Sequence, residues 1–282
     1  MKKLNTLVTL AFVAVIGFMS ATTTSCTKTE YIDRYHTDTL TNTDTVHTTD
    51  TVLTGPGLIN VNFDNMVGSA DFNLTSTFTV AGTPFQFNQL RYWVSNVSLV
   101  KEDGSLLAIP KSYYLLEECG DIAVQDGDYT YPANKRELVQ LKSIPEGKYK
   151  GIVFHVGVDE VHNTNLSLQA GELSQLSGMT NISWMWHTSY IFSAVKGTQN
   201  ANNFNVEVGT NDAYRKVELN FASNMEVKPT GENNVHIKVD VEKIFTGLDL
   251  NSKPTIGATT ATEMTQVADN YKNQVFSVIS AE

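Results

Sequence analysis

From Ile59 onward, apolar and polar residues alternate in short runs. Ile59, Val61 and Phe63 alternate, then Phe85 and Phe87, then Tyr92 and Val94, and after a shift of one position Val97 and Leu99. A period of two sends every second side chain to the same face, which is the pattern of a half-buried strand. Asp103-Gly104 is a hairpin turn between strands at 97–101 and 106–109. Further strands are predicted at 113–117, 137–141, 151–156, 192–196, 204–208, 217–221 and 235–241, with Pro145-Glu146-Gly147 as a turn ahead of 151–156. Helical periodicity is confined to one or two turns at 262–268, followed by a closing strand at 274–278. About ten strands at this spacing predict an all-β domain, an antiparallel β-sandwich or barrel-like fold with little helix.

The pattern is different before Gly57. Lys2 and Lys3 precede an apolar stretch from Leu7 to Met19 and a run of small residues that ends at Cys26. Residues 1–25 therefore read as a signal peptide, too short in its apolar part to span a bilayer, and Cys26 as a lipid-attachment cysteine. Residues 26–56 are rich in Thr and Asp and poor in large aliphatics, so they cannot offset the entropy of ordering and are expected to form a solvated, lipid-anchored spacer. Within the spacer, Thr37-Asp38-Thr39-Leu40, Thr43-Asp44-Thr45-Val46 and Thr49-Asp50-Thr51-Val52 recur every six residues. These triplets resemble an O-glycosylation motif of envelope-rich Gram-negative bacteria, which implies glycans on Thr39, Thr45 and Thr51. Gly55-Pro56-Gly57 closes the spacer, and 57–282 is read as the folded domain.

Composition narrows the functional classes. A chain of 282 residues that is 41% hydrophobic can bury a large core without disulfides. With 20 Lys and Arg against 30 Asp and Glu the formal net charge is −10, so a nucleic-acid backbone would be repelled, and the expected contacts are the membrane, through the anchor, and envelope proteins. With Cys26 acylated, Cys119 has no partner for an intrachain disulfide and reads as a buried small hydrophobe. There is no phosphate loop, nucleophile elbow or His-Glu-x-x-His pair, and Glu117 and Glu118 point to opposite faces of a strand. The chain is expected not to be an enzyme.

Two stretches gather residues with chemistry. Ser183-Trp184-Met185-Trp186-His187-Thr188-Ser189-Tyr190, read as one strand, sets Trp184 and Trp186 on one face and Met185 and His187 on the other. Thioether and imidazole are donors that copper accepts, yet two Trp around a Met equally describe a core plug. His155 takes the polar side of the strand at 151–156, and the loop beyond it carries Asp159, His162 and Asn163. Loops at strand ends collect sites, although hydrogen-bonded loop structuring is the plainer role for Asp159 and Asn163.

Several blocks resemble the MbnP-like family, that of the methanobactin-associated periplasmic copper protein. They are Val61-Asn62-Phe63-Asp64-Asn65-Met66-Val67-Gly68, Leu90-Arg91-Tyr92-Trp93-Val94-Ser95-Asn96-Val97-Ser98-Leu99, Tyr113-Tyr114-Leu115-Leu116-Glu117, Gly147-Lys148-Tyr149-Lys150-Gly151-Ile152-Val153-Phe154, Gly157-Val158-Asp159 through Asn163, and the Trp-x-Trp stretch with Tyr190. The resemblance implies an exported β-rich protein of the periplasm or outer membrane that binds copper through histidines and hands it to partner proteins. It also implies that Trp184, Trp186, Tyr190, Asp159 and Asn163 form scaffold and pocket wall. Where the family has Phe-x-His this chain has Asn65, and where it has His-x-Gly this chain has Glu207. His187, with His155, Met66 and Met185, is then the set from which replacement donors would come. The competing expectation is a metal-free surface module that contacts a glycan or a protein.

Overall fold

The computed structural model describes residues 56–124, 128–183, 186–229 and 232–282. Cys26, Thr39, Thr45 and Thr51, together with the signal and nearly all of the spacer, lie outside the described residues.

The strands are β1 (Gly57–Val67), β2 (Ala70–Asp71), β3 (Thr77–Val80), β4 (Thr83–Lys101), β5 (Leu106–Ala108), β6 (Tyr113–Cys119), β7 (Ile122–Val124), β8 (Tyr129–Tyr131), β9 (Asn134–Arg136) and β10 (Leu138–Ile144). They continue with β11 (Gly147–Val156), β12 (Thr180–Ser183), β13 (Trp186–Tyr190), β14 (Ser193–Gln199), β15 (Asn202–Val208), β16 (Arg215–Val227), β17 (Asn233–Asp240), β18 (Thr255–Ile256) and β19 (Phe276–Ala281). Ten of these are six residues or longer, and they coincide with the alternating runs, apart from 106–109, which is reduced to the short β5. The helices are α1 (Glu160–Asn163) and α2 (Ala261–Asn270).

Of the two large sheets, the first has the order β10-β1-β17-β19, with β2 on β1, and the second has β16-β11-β4-β14-β15-β18, with β3, β5 and β6 also on β4 and β9 on β6; β12 with β13 and β7 with β8 form separate two-stranded sheets. All pairs are antiparallel except β1 with β17 and β15 with β18. Phe63 from the first sheet and Phe154 from the second meet edge to face at 5.5 Å, and Phe276 closes the triangle at 5.1 Å from Phe154. These rings lie in the space between two layers whose inward positions are the buried alternate residues of each strand, the arrangement of a β-sandwich.

β4 organises the second sheet. It pairs with β14 through residues 85–92 and with β11 through 94–101. The hand-over falls at Trp93, whose N–H donates to the Phe192 carbonyl at 2.9 Å and whose carbonyl accepts from Gly157 at 3.0 Å. The shift of one position in the alternation is a bulge: the register with β11 slips between Val153 and His155, and Asn96 adopts φ 48°. Asparagine tolerates this left-handed conformation better than most residues, and the extra residue turns the strand's side chains over.

Candidate functional site

The bulge and the loop after β11 build a connected polar cluster. Asn96 Nδ2 donates to the Tyr214 hydroxyl at 2.7 Å, Ser95 Oγ lies 3.1 Å from the same hydroxyl, and the His155 ring stacks on Tyr214 at 4.6 Å and 8°. At the end of β11, Gly157 has φ 111°, and a Cβ there would fall 2.5 Å from the Phe192 ring, so only glycine lets the chain turn at this point. Asp159 follows as the N-cap of α1 and accepts from the His162 N–H; its carboxylate also takes the Tyr113 hydroxyl and the His162 Nδ1, the latter at 3.0 Å. Burial pushes the Asp159 carboxyl up, but the hydrogen bonds from Tyr113 and His162 outweigh it and hold the group below its ordinary range. Burial, and then the Asp159 carboxylate, push the Tyr113 hydroxyl up. Burial and Lys216 hold the His155 imidazole below its ordinary value, and its Nδ1 is buried without a partner.

Asn163 is buried at the end of α1. Its Oδ1 accepts from the Tyr190 N–H at 2.8 Å and its Nδ2 donates to Asn211 Oδ1 at 2.7 Å. Tyr190 is fully buried, with its ring edge to face with Trp93 at 5.9 Å. Asp159, Asn163 and Tyr190 thus tie the loop to β6, β13 and the core.

The two positions at which the family resemblance places histidines are both committed to bonds within the protein. Asn65, fully buried on β1, donates from Nδ2 to Glu137 Oε1 at 2.9 Å and accepts the Tyr92 hydroxyl on Oδ1 at 3.0 Å. Burial raises the Glu137 carboxyl despite Lys135 and these bonds. Glu207 stands on the face of β15 opposite to the buried Val206 and Val208 and pairs with Lys196 Nζ at 2.8 Å. Asn65 therefore faces the core while Glu207 faces away from it. Met66 points to the side of β1 opposite to Asn65.

The tryptophan stretch is not one strand. β12 ends at Ser183, β13 begins at Trp186, and the two pair antiparallel with Ser183 opposite Trp186. Two paired strands stand where one was expected. Trp184 and Met185 lie outside the described residues. His187, half-buried on β13, is held by a 2.6 Å hydrogen bond between Nδ1 and Thr180 Oγ1 on β12. His155, His187, Asn65 and Glu207 each answer to different neighbours, and among the described residues no three His, Cys, Asp or Glu side chains gather as a metal cluster.

Other functional-looking groups were not evident in the sequence. Arg91 and Glu117, both buried, pair at 2.7 Å; Arg91 also donates to the Ser177 carbonyl, and Glu117 accepts from Tyr131 and Asn134. Tyr113, at the start of β6, and Tyr214, in the turn just before β16, complete the cluster around Asp159 and Asn96 from elsewhere in the sequence. The alternation shift at Asn96 was the one local signal.

The sequence profile of the MbnP family matches residues 56–263, most of the chain and nearly all of the sandwich. The chain belongs to the MbnP family. Among solved structures it is similar to MbnP from Methylosinus trichosporium, at 16% identity, covering 72% of this chain and 81% of that one with a TM-score of 0.46. No curated protein matches. The MbnP match runs from just before β1 into the first turn of α2.

Proposed function

We propose that this chain is an exported, lipid-anchored member of the MbnP family that captures copper as cargo and passes it on without catalysis, and that its metal anchor is His187. Asn65 and Glu207 do not fit as nitrogen donors: one is an amide with both ends hydrogen-bonded, the other a carboxylate paired with Lys196. The observation that carries the reading is the 2.6 Å contact between His187 Nδ1 and Thr180 Oγ1. In the tautomer that carries its proton on Nδ1, Thr180 Oγ1 accepts that proton and the Nε2 lone pair is left for a metal, which is how ligating histidines are oriented. The test is a Cu(I) titration against a competing chelator for the full chain, His187→Ala and Thr180→Val. Wild type should bind most tightly, and Thr180→Val should lose roughly 10- to 100-fold through the orienting partner. Equal affinity of wild type and His187→Ala would remove the copper reading.

A second reading is favoured by those same internal bonds of Asn65 and Glu207. A scaffold whose former donor positions are filled by protein hydrogen bonds suits a metal-free surface module that contacts a glycan or a partner protein. That reading leads if the titration shows no site.

A further inference from the structure

β8, β9 and the 3-10 turn at 175–177 border an open cleft of about 340 Å³. This is the small end of the size range of small-molecule sites, roughly 300–1,000 Å³. One wall carries Tyr129 and Tyr131, which stand two residues apart on β8 and so on the same side of it, about 6.7 Å from each other along the strand. A second wall carries Leu176. Tyr129 is 38% exposed and Leu176 45% exposed, so the fold leaves a large apolar side chain uncovered on each wall.

Neither wall is loose, because the buried Arg91–Glu117 pair directs its remaining bonds to both. Arg91 Nη2 donates to the Ser177 carbonyl at 2.7 Å, which fixes the turn that carries Leu176, and Ser174 Oγ accepts the Leu176 N–H at 3.2 Å. The Arg91 guanidinium also lies over the Tyr131 ring, 4.7 Å from its centroid, and Glu117 accepts from the Tyr131 hydroxyl and from Asn134 Nδ2. A buried ion pair is weak evidence of stabilisation. What this one fixes is the shape of the cleft, and walls held before binding lose little entropy when a ligand arrives.

The cleft also offers a donor and an acceptor side by side. Glu172 Oε2 accepts from Arg136 Nη1 and from the Leu115 N–H, the latter at 3.0 Å. Arg136 Nη2 and Glu172 Oε1 are left without a hydrogen-bond partner among the described residues, on side chains 31% and 36% exposed. The charges of Arg91, Glu117, Arg136 and Glu172 sum to zero, so the cleft has no net preference for an ion. A guanidinium fork beside a carboxylate suits two neighbouring hydroxyls, one accepting from Arg136 and one donating to Glu172. A pyranose ring carries such hydroxyls around its edge and C–H bonds on its face, and those C–H bonds meet the negative face of a tyrosine ring.

We propose that this cleft binds one ring of a neutral glycan, with the C–H face of the sugar on Tyr129, Leu176 beside it, and vicinal hydroxyls on Arg136 Nη2 and Glu172 Oε1. The site rests on the second reading, in which the chain contacts a glycan, and it shares no residue with His187 or Thr180. The probes are cellohexaose, laminarihexaose, mannohexaose and chitohexaose, all neutral, titrated into the full chain by calorimetry. At least one should bind saturably, with an affinity that is the same at about 50 and about 500 mM NaCl because no ion pair forms. Tyr129→Ala should weaken it at least about tenfold by removing the ring that the sugar packs on. Glu172→Gln keeps an acceptor for the Leu115 N–H and should weaken binding roughly fivefold, the difference between a charge-assisted and a neutral hydrogen bond. Ile279→Ala, at an exposed apolar residue of β19 that does not line the cleft, should change nothing. Circular dichroism checks the folding of each variant. Binding that Tyr129→Ala or Glu172→Gln leaves unchanged, or that Ile279→Ala weakens equally, would overturn the cleft and place the glycan elsewhere on the chain. Affinity that falls with salt would overturn the neutral ligand, and no saturable binding of any probe would remove the glycan reading together with the cleft.

Discussion

Asn65 offers the sharpest test of why this member of the MbnP family has an amide where the resemblance places histidine. Asn65→Leu keeps the forked shape, with larger methyl ends, and removes both polar groups. The Tyr92 hydroxyl, fully buried, loses the acceptor it holds at 3.0 Å, and Glu137 Oε1 loses the closer of its two donors from Asn65, at 2.9 Å against 3.2 Å for the backbone N–H. An unpaired buried hydroxyl costs about 1–3 kcal/mol and a charge-assisted bond is worth about 1.5–3 kcal/mol, so the substitution should cost roughly 3–5 kcal/mol. Tyr92→Phe alone should cost about 1–2 kcal/mol, by leaving Asn65 Oδ1 without its donor. In the double variant no hydroxyl is stranded, so it should be less destabilised than the sum of the singles by about 1–2 kcal/mol. Equilibrium urea unfolding of all four proteins at constant m measures each term. Additivity within about 0.3 kcal/mol would refute the reasoning, since it would mean that the two side chains do not share a bond.

Two further outcomes follow from single residues. His155 is held below its ordinary pKa, so on acidification the unfolded chain takes up this proton before the folded one does; the stability it contributes is complete above the ordinary value near 6.5 and falls as pH drops from there toward the folded pKa. His155→Phe, which keeps a ring on Tyr214, should flatten the urea-midpoint profile between about pH 7.5 and about pH 5.5, and equal slopes would count against it. Ala201→Gly should stabilise the β14–β15 turn by about 0.5–1 kcal/mol, because glycine accepts φ 62° without a Cβ clash; a lower urea midpoint than wild type would contradict this.

The strands were legible because one face of each is buried, and burial writes a period of two into the sequence. The Asp103-Gly104 hairpin and the shift between Val94 and Val97 were legible for the same local reason. The short strands β2, β3, β7, β8 and β9 were not, since two to four residues are too few to show a period. The break between Ser183 and Trp186 was missed because alternation is assumed to continue where nothing marks a turn. The polar cluster was half visible: Asp159, Asn163 and His155 stand in or next to a loop with obvious chemistry. Tyr113 begins β6 and Tyr214 immediately precedes β16, and the nearness of those strands depends on the sheet order, which no local pattern encodes. Asn65 and Glu207 could be flagged only by resemblance; that one bonds Glu137 and Tyr92 and the other Lys196 is a matter of tertiary pairing.

The position of β1 has a consequence for how the molecule forms. It lies between β10 and β17, and its parallel register with β17 matches Ile59 to Asn233 and Met66 to Asp240. As the chain emerges from the ribosome, the first strand to appear waits for its inner neighbour until residue 240 is available. Its unpaired edge and the apolar row of Ile59, Val61 and Phe63 remain exposed through that interval. Parallel pairing across such a separation is slow to nucleate and prone to association while it waits, so β1 is the strand at which misassembly of this fold should begin.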